Sequence, residues 1–109
     1  MVVKSLELAL AAKEDVVAVR QSTRSLAVEI GLSIIDQTKI VTAASELARN
    51  TVIHGGGGKA NLEIVKDGAK QGLRLIFQDL GGSKRLCSEF AIESQVGVGT
   101  RVTITRWKA

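Results

Sequence analysis

The hydrophobic period changes along this chain, and the change constrains the fold more than any other feature of the sequence. In residues 4–11 the side chains of Leu6, Leu8 and Leu10 alternate with polar or small ones, which is the period of a half-buried strand. From residue 14 to Gly31 the apolar residues recur every three or four positions, which is the period of an amphipathic helix that ends at a glycine. The sequence therefore begins with a strand and a helix.

The rest of the chain predicts a second long helix and further strands. Ser33 is a candidate N-cap, with Asp36 three residues later in a loose capping box, for a helix that runs to about His54. A turn is predicted at residues 67–71 and a short helix at residues 81–89, and strand periods cover residues 60–66, 72–79, 90–94 and 100–107. The order β-α-α-β-β-α-β-β predicts one domain, an α/β two-layer sandwich with helices on one face of a mixed or antiparallel sheet.

Composition narrows the possible functions. The aromatic side chains are Phe77, Phe90 and Trp107, so the core is aliphatic and no base-stacking platform for nucleic acid is visible. The net charge of +4 fits an acidic protein partner or a nucleotide phosphate. The single cysteine, Cys87, excludes an internal disulfide, and neither a signal peptide nor a membrane span of roughly 20 apolar residues is found. We therefore expect a cytoplasmic protein that binds neither nucleic acid nor membrane.

The second helix carries the residues that bear on function. At about 100° per residue one stripe of this helix should face the sheet, formed by Ile40, Ala44, Leu47, Ala48 and Thr51. Glu46 and Asn50 lie about 40° from one another beside that stripe, at the edge of a buried surface and not out in solvent. An Asn carbonyl oxygen suits Mg²⁺, and a neighbouring Glu can deprotonate an attacking hydroxyl. Spacing alone leaves open whether this pair is such a site or two ordinary polar helix residues.

The sequence SELARN at residues 45–50 resembles the N-box of the GHKL (Bergerat-fold) ATPase and kinase superfamily. The fuller string from Asp36 to Asn50 resembles the anti-sigma-factor serine/threonine kinases, and within these the RsbT-type switch kinases of stressosomes. The similarity continues in residues 81–90 and in Gly99-Thr100 before the last strand, so it covers nearly the whole chain. The Glu-x-x-x-Asn pair alone is a weak signal, whereas the ordered set of segments is specific.

The resemblance implies roles for the polar residues of the site. Asn50 would be the Mg²⁺ ligand that bridges to the phosphates of ATP, and Glu46 the candidate general base. Asp79, at the end of the strand GLRLIFQD, would accept a hydrogen bond from the adenine amino group. Without the resemblance, Asp79 is equally well a turn residue at the end of a strand.

Three further residues enter the predicted ATP site by resemblance. Gly81 and Gly82 would offer backbone N–H groups and a helix N-terminus to phosphate, and Thr100 would lie near the adenine. Taken alone, the glycine pair predicts only a turn and Thr100 a β-branched residue at the start of a strand. The glycine run at residues 55–58 is not a P-loop, because Lys59 is not followed by Ser or Thr; we expect it to cap the second helix.

A departure from the family pattern lies just after Asp79. The resemblance implies Asp-x-Gly-x-Gly, then a mobile ATP lid, then a second glycine-rich box, whereas here Leu80-Gly81-Gly82 follow at once. Either the chain lacks the lid, or a lid belongs between Asp79 and Leu80 and is missing from these 109 residues. The second explanation is favoured, because the flanking segments match family segments that should not abut.

The resemblance implies an ATP- and Mg²⁺-dependent serine/threonine protein kinase that acts on a STAS-domain antagonist or scaffold protein. The pathway would be a bacterial sigma-factor or stress-response partner switch, with a PP2C-type phosphatase or a sigma factor as a further partner. The alternative is a nucleotide-binding module with weak or no catalysis that sequesters a sigma factor or another regulator. Glu46 favours the kinase, because a module that only binds does not need it. The ATPase domain of a sensor histidine kinase is disfavoured, since no dimerisation helix precedes the first strand.

Overall fold

The computed structural model describes residues 1–54, 56–79, 91–95 and 99–108, and the side chains of all these except residues 91–95, 99 and 100. The helices and strands, in chain order, are β1 (Val2–Leu10), α1 (Lys13–Glu29), α2 (Ile34–Ile53), β2 (Gly58–Asp67), β3 (Lys70–Asp79), β4 (Ala91–Gln95) and β5 (Gly99–Trp107). The short helix predicted at residues 81–89 lies outside the described residues. In the described part, no helix is long and apolar enough to cross a membrane.

The strands form one sheet in the order β1-β2-β3-β5-β4. Every hydrogen-bonded pair in it is antiparallel, so of the two expected sheet types the antiparallel one is observed and the mixed one is wrong. The reason is the position of β5. It lies between β3 and β4, which run parallel to one another, and so no parallel pair of neighbours forms.

Both helices cover the same face of the sheet, which confirms the predicted two-layer sandwich. Alternate residues of the central strands are fully buried on that face: Leu62 of β2 and Leu73, Leu75 and Phe77 of β3. They pack against the buried side of α1, which includes Val19, Leu26 and Ala27, and against the apolar stripe of α2. The core is therefore almost wholly aliphatic, as the composition predicts.

Local hydrogen bonds close α1 at Gly31, as predicted. The N–H of Leu32 donates to the carbonyl of Ala27 at 3.0 Å, and the N–H of Gly31 donates to that of Val28 at 3.0 Å. These two bonds form a Schellman motif, which satisfies carbonyls at the end of the helix. The chain is thereby turned directly into α2.

Ser33 is the N-cap of α2, since its Oγ accepts the N–H of Asp36 at 3.1 Å. The carboxylate of Asp36 does not complete the expected capping box. It accepts two hydrogen bonds from Arg106 of β5, from Nη2 at 2.7 Å and from Nε at 3.1 Å. The Arg106 hydrogen bonds hold the pKa of Asp36 below its ordinary value. This ion pair ties the beginning of α2 to the end of β5.

The hairpin of β2 and β3 is tighter than predicted. Asp67 pairs with Lys70, so the loop has only two residues, Gly68 and Ala69. The predicted turn at residues 67–71 is too long. Lys70 and Gln71 are polar and therefore resemble turn residues, but both belong to β3. Gly68 has a φ of +63°, which fits the first position of a two-residue hairpin loop.

Candidate functional site

Helix α2 presents the predicted stripe to the sheet. All five of its residues are buried: Ile40, Ala44, Leu47, Ala48 and Thr51. Arg49 is exposed, as the helical period predicts. The rotation of α2 about its axis is therefore fixed, and with it the direction of the polar residues beside the stripe.

Glu46 and Asn50 flank the stripe but differ in their exposure. Asn50 is half-buried, which agrees with its predicted place at the edge of the core. Glu46 is exposed, so the expectation that it is withdrawn from solvent is wrong. The physical reason is that the neighbouring part of the sheet, at β5, leaves the space beside Glu46 open.

That space is a groove of about 780 Å³ between α2 and β5. It is lined on the helix by Thr38, Lys39, Ile40, Thr42, Ala43 and Glu46, and on the strand by residues 103–106. Neither Asn50 nor Asp79 lines it.

Asp79 is the last residue of β3 and is buried, with 5% of its surface exposed. It lies opposite Gly58 of β2. A Cβ on Gly58 would lie 2.7 Å from the Cα of Asp79 and in closer contact still with the carbonyl oxygen of Gln78. Only glycine therefore allows β2 to approach β3 closely enough to bury Asp79 at this end of the sheet.

Asn50 and Asp79 lie at the same end of the fold. The N–H of His54 donates to the carbonyl of Asn50 at 2.9 Å, and the N–H of Gly57 donates to that of Thr51 at 2.9 Å, which confirms that this glycine-rich segment caps α2. Residues 54–57 then lead from α2 to Gly58, and a connection of this length can span at most about 18 Å. The structure thus brings the carboxamide on α2 and the carboxylate on β3 to one end of the molecule.

The other predicted site residues remain predictions. Gly81 and Gly82 lie outside the described residues. Thr100 lies in β5 opposite Ser94 of β4, and its side chain is outside the description. The three residues therefore belong to the predicted site by resemblance alone.

The oxygen donors on α2 suit a partial Mg²⁺ site. No group of three or more His, Cys, Asp or Glu side chains that could hold a metal ion occurs among the described residues. A Mg²⁺ ion that travels with nucleotide phosphates needs only one or two protein ligands, because water and phosphate supply the rest. The half-buried carboxamide of Asn50 fits the role of such a ligand, and the carboxylate of Glu46 lies one turn before it on the helix.

Two structural residues at this site could not be identified from the sequence. Gly58 is there only part of a glycine run, and nothing in a single sequence shows which strand it faces. Arg106 is there only a residue near the end of a strand, and its partner Asp36 lies 70 positions away. The sequence offers one signal for this ion pair: Asp36 and Arg106 carry opposite charges, and each lies near the end of a predicted helix or strand.

Comparisons with known proteins were made for the sequence and for the fold. No protein-family model matches the chain. Serine/threonine-protein kinase RsbT of Bacillus subtilis (strain 168) is 36% identical to it over 118 aligned positions, which cover 85% of this chain and 89% of RsbT. Since the alignment is longer than this chain of 109 residues, RsbT carries residues that have no counterpart here.

The fold is also similar to a solved structure, the crystal structure of the RsbU and RsbW domains of Rv1364c from Mycobacterium tuberculosis. The TM-score is 0.68 at 26% sequence identity, over 97% of this chain and 33% of that one. This chain therefore spans about a third of the length of that structure. The agreement extends over nearly every element described above.

Proposed function

The chain belongs to the RsbT-type family of serine/threonine-protein kinases, and on that premise we propose that it transfers the γ-phosphoryl group of ATP to a partner protein. The acceptor is a serine or threonine of a STAS-domain antagonist or scaffold protein, in a cytoplasmic partner-switching pathway of a bacterial stress or sigma-factor response. A PP2C-type phosphatase or a sigma factor is the further partner. The observation that carries the proposal is the placement of Glu46 and Asn50 on one side of α2, with Asp79 buried at the adjoining end of β3.

Glu46 acts as the general base of the transfer. Its carboxylate takes the proton of the acceptor hydroxyl, whose oxygen forms the new bond to the γ-phosphorus as the bond to the β–γ bridging oxygen breaks and ADP leaves. The exposure of Glu46 supports this role. An acceptor hydroxyl carried by a second protein can reach an exposed carboxylate, whereas it could not reach a buried one.

Asn50 and Asp79 hold the nucleotide. Asn50 would supply a carbonyl oxygen for Mg²⁺, and the ion would neutralise charge on the phosphates. The buried carboxylate of Asp79 accepts a hydrogen bond from the adenine amino group. Gly81, Gly82 and Thr100 complete the proposed site.

A second candidate function is a nucleotide-binding module that sequesters a sigma factor or another regulator with weak or no catalysis. One observation favours it. Only residues 80–90 connect β3 to β4, and a connection between parallel strands usually takes a dozen residues or more. In this sequence the connection is short for an ATP lid, which favours the first of the two explanations, a chain that lacks the lid. A chain without a lid would bind ATP weakly and release it quickly.

A phosphotransfer assay with purified STAS-domain proteins of the source genome tests the kinase. Glu46→Gln should slow transfer by a factor of about 10²–10⁴ and leave ATP affinity unchanged. Glu14→Gln, which changes an exposed glutamate of α1 in the same way, is the matched control and should have no effect. Transfer at the normal rate by Glu46→Gln would refute the base assignment. ATP binding by the wild type without transfer to any STAS-domain protein would favour the binding module.

The adenine contact has its own test. Asp79→Asn should weaken ATP binding by about tenfold, because a neutral carboxamide oxygen replaces the charged acceptor of the adenine amino group. GTP has a carbonyl oxygen at that position, which a carboxylate repels and a carboxamide N–H can bind, so GTP should bind the variant at least as well as the wild type. An unchanged preference for ATP over GTP would remove Asp79 from the site.

A further inference from the structure

Both layers of the fold contribute to the end of the molecule opposite to Asp79, which we call the distal tip. Lys70 begins β3 there, whereas Asp79 ends that strand about 30 Å away. The N–H of Lys108, directly after β5, donates to the carbonyl of Gln71 at 2.8 Å, and a Cβ on Gly31, between the helices, would lie 3.0 Å from Nζ of Lys108. The distal tip therefore joins the sheet to the helical layer. Its exposed side chains include Ile34, Ile35, Lys66, Lys70, Trp107 and Lys108.

Two adjacent isoleucines project from the distal tip. Ile34 and Ile35 begin α2, and they are 75% and 68% exposed. Because the Cα–Cβ bonds of a helix tilt towards its N-terminus, side chains in the first turn lean out past the end of α2. Trp107 lies at the end of β5 and is 39% exposed. Single exposed apolar residues are ordinary, but here the apolar side chains collect at one end of the fold.

The distal tip is also basic. Lys66 and Lys70 lie on either side of the β2–β3 loop, and Lys108 lies against the α1–α2 connection at Gly31. All three lysines are exposed. Within the residues that the structure describes, none of them takes part in an ion pair or a side-chain hydrogen bond. Their charge is therefore directed to the surroundings of the molecule.

The acidic residues near the distal tip do not cancel this charge. Glu29 at the end of α1 forms an ion pair with Lys4, with 3.0 Å between Oε1 and Nζ. Asp36 is held by Arg106 at 2.7 Å. Asp67 is the further carboxylate beside the β2–β3 loop. The lysines of the tip outnumber it, so an excess of positive charge borders the exposed isoleucines.

We propose that the distal tip docks on a membrane surface that carries anionic lipids, with Ile34 and Ile35 inserted between the headgroups and the lysines against lipid phosphates. Exposed apolar side chains beside Lys residues are the pattern of an interfacial contact, and tryptophan favours the boundary between lipid and water. A lysine close to an anionic surface strengthens binding about fivefold. The proposal does not rest on the kinase activity, and the docked chain keeps Asp79 about 30 Å from the contact, so the nucleotide end stays open.

Other occupants fit the distal tip less well. A second copy of the chain would bring the lysines of two tips together, and like charges repel. Contacts with nucleic acid are polar and wet, and they have no place for two projecting isoleucines. An acidic protein would need a pocket shaped for both isoleucines, whereas a lipid surface accepts them without one. The expectation of no membrane binding rests on the absence of a spanning segment, and a surface contact needs none.

The test is co-sedimentation of the full chain with phosphatidylcholine vesicles, prepared with and without phosphatidylglycerol. Trp107 is the single tryptophan of the chain, so its fluorescence reports directly on the distal tip. The wild type should bind the vesicles that contain phosphatidylglycerol, and the emission of Trp107 should then shift to the blue. Binding should weaken as salt is raised, because salt screens the lysines.

Two variants of the distal tip separate its apolar and charged contributions. Ile34→Ser/Ile35→Ser removes apolar groups without changing charge, and its matched control is Val17→Ser/Ile53→Ser, at two exposed apolar residues away from the tip. Lys66→Gln/Lys70→Gln removes charge from the tip. Its matched control is Lys13→Gln/Lys59→Gln, which removes the same charge from exposed residues at the start of α1 and near the start of β2. Urea unfolding of every form shows that the fold is intact.

Each tip variant should bind the anionic vesicles about tenfold or more weakly than the wild type, while each control stays within about twofold. Absence of wild-type binding would overturn the proposal, and so would unchanged binding by the tip variants. Equal losses in the two lysine variants would show an effect of net charge alone and would also overturn it. Vesicle binding without a change in Trp107 emission would place the contact elsewhere. Tip-dependent binding to a STAS-domain protein without binding to vesicles would assign the tip to a protein and not to lipid.

Discussion

The approach of β2 to β3 at Gly58 leads to a prediction that separates stability from nucleotide binding. Gly58→Ala places a Cβ 2.7 Å from the Cα of Asp79 and closer still to the carbonyl oxygen of Gln78. Both contacts are with backbone atoms, which cannot move aside as the end of a flexible side chain can. The two strands must therefore separate locally, and Asp79 must move with β3.

The size of the effect follows from that geometry. Overpacking of this kind costs about 1–3 kcal/mol of the free energy of unfolding, and each kcal/mol lowers the melting temperature of a domain of this size by about 4–8 °C. A displacement of the Asp79 backbone by some tenths of an ångström or more should also weaken ATP binding by about tenfold, since the hydrogen bond proposed between Asp79 and adenine is worth roughly 1.5 kcal/mol.

Gly68→Ala is the control for this prediction. Gly68 has a φ of +63°, and no heavy atom lies within 4 Å of the position that a new Cβ would take, so only the left-handed backbone opposes alanine, at about 1–2 kcal/mol. It lies at the other end of the hairpin, about 30 Å from Asp79 along the strands. Urea unfolding and ATP titration should show a similar loss of stability in both variants but a loss of affinity only in Gly58→Ala. Wild-type stability of Gly58→Ala would refute the steric argument, and equal affinity losses would refute the placement of Asp79.

Three further predictions concern the rest of the fold. Arg106 lowers the pKa of Asp36 in the folded protein. The stability that this pair contributes is therefore present above the ordinary pKa of 3.8 and is lost as the pH falls through the lowered value of the folded protein. The difference in urea midpoint between the wild type and Asp36→Asn should accordingly close below about pH 4. Thr23→Val should raise the free energy of unfolding, measured in urea, by about 1 kcal/mol, because the buried Thr23 hydroxyl has no hydrogen-bond partner among the described residues. Gly72→Ala should shift the fluorescence of Trp107 to the red, since the new Cβ would lie 2.7 Å from its ring and push it towards solvent.

Much of the fold follows from local pattern. The period of α2 and the Ser33 cap predict the start, the end and the buried face of this helix, because each depends on residues within a few positions. The same holds for the closure of α1 at Gly31 and for the inward face of β3. These features need no knowledge of which elements become neighbours.

The features that were not predicted depend on distant parts of the chain. Exposure of Glu46 is decided by what lies on the sheet beside α2, and the need for glycine at position 58 is decided by the backbone of β3. The carboxylate of Asp36 could accept a hydrogen bond from a backbone N–H in a capping box or bind Arg106. It binds Arg106, because a carboxylate–guanidinium pair is stronger than a hydrogen bond to a backbone N–H. The motif at residues 45–50 therefore points to the candidate site, whereas the exposure of Glu46 and the close approach at Gly58 follow only from the fold.

The place of β5 between β3 and β4 also has a consequence for biosynthesis. The ribosome makes β3 and β4 before β5, and neither strand has its sheet partner on that side until β5 is complete. During this interval β3 has an unpaired edge beside the apolar side chains of Leu73, Leu75 and Phe77, which is the kind of surface that pairs with other chains. The sheet can close only after β5 has been synthesised, and until then the edge of β3 is open to pairing with other chains.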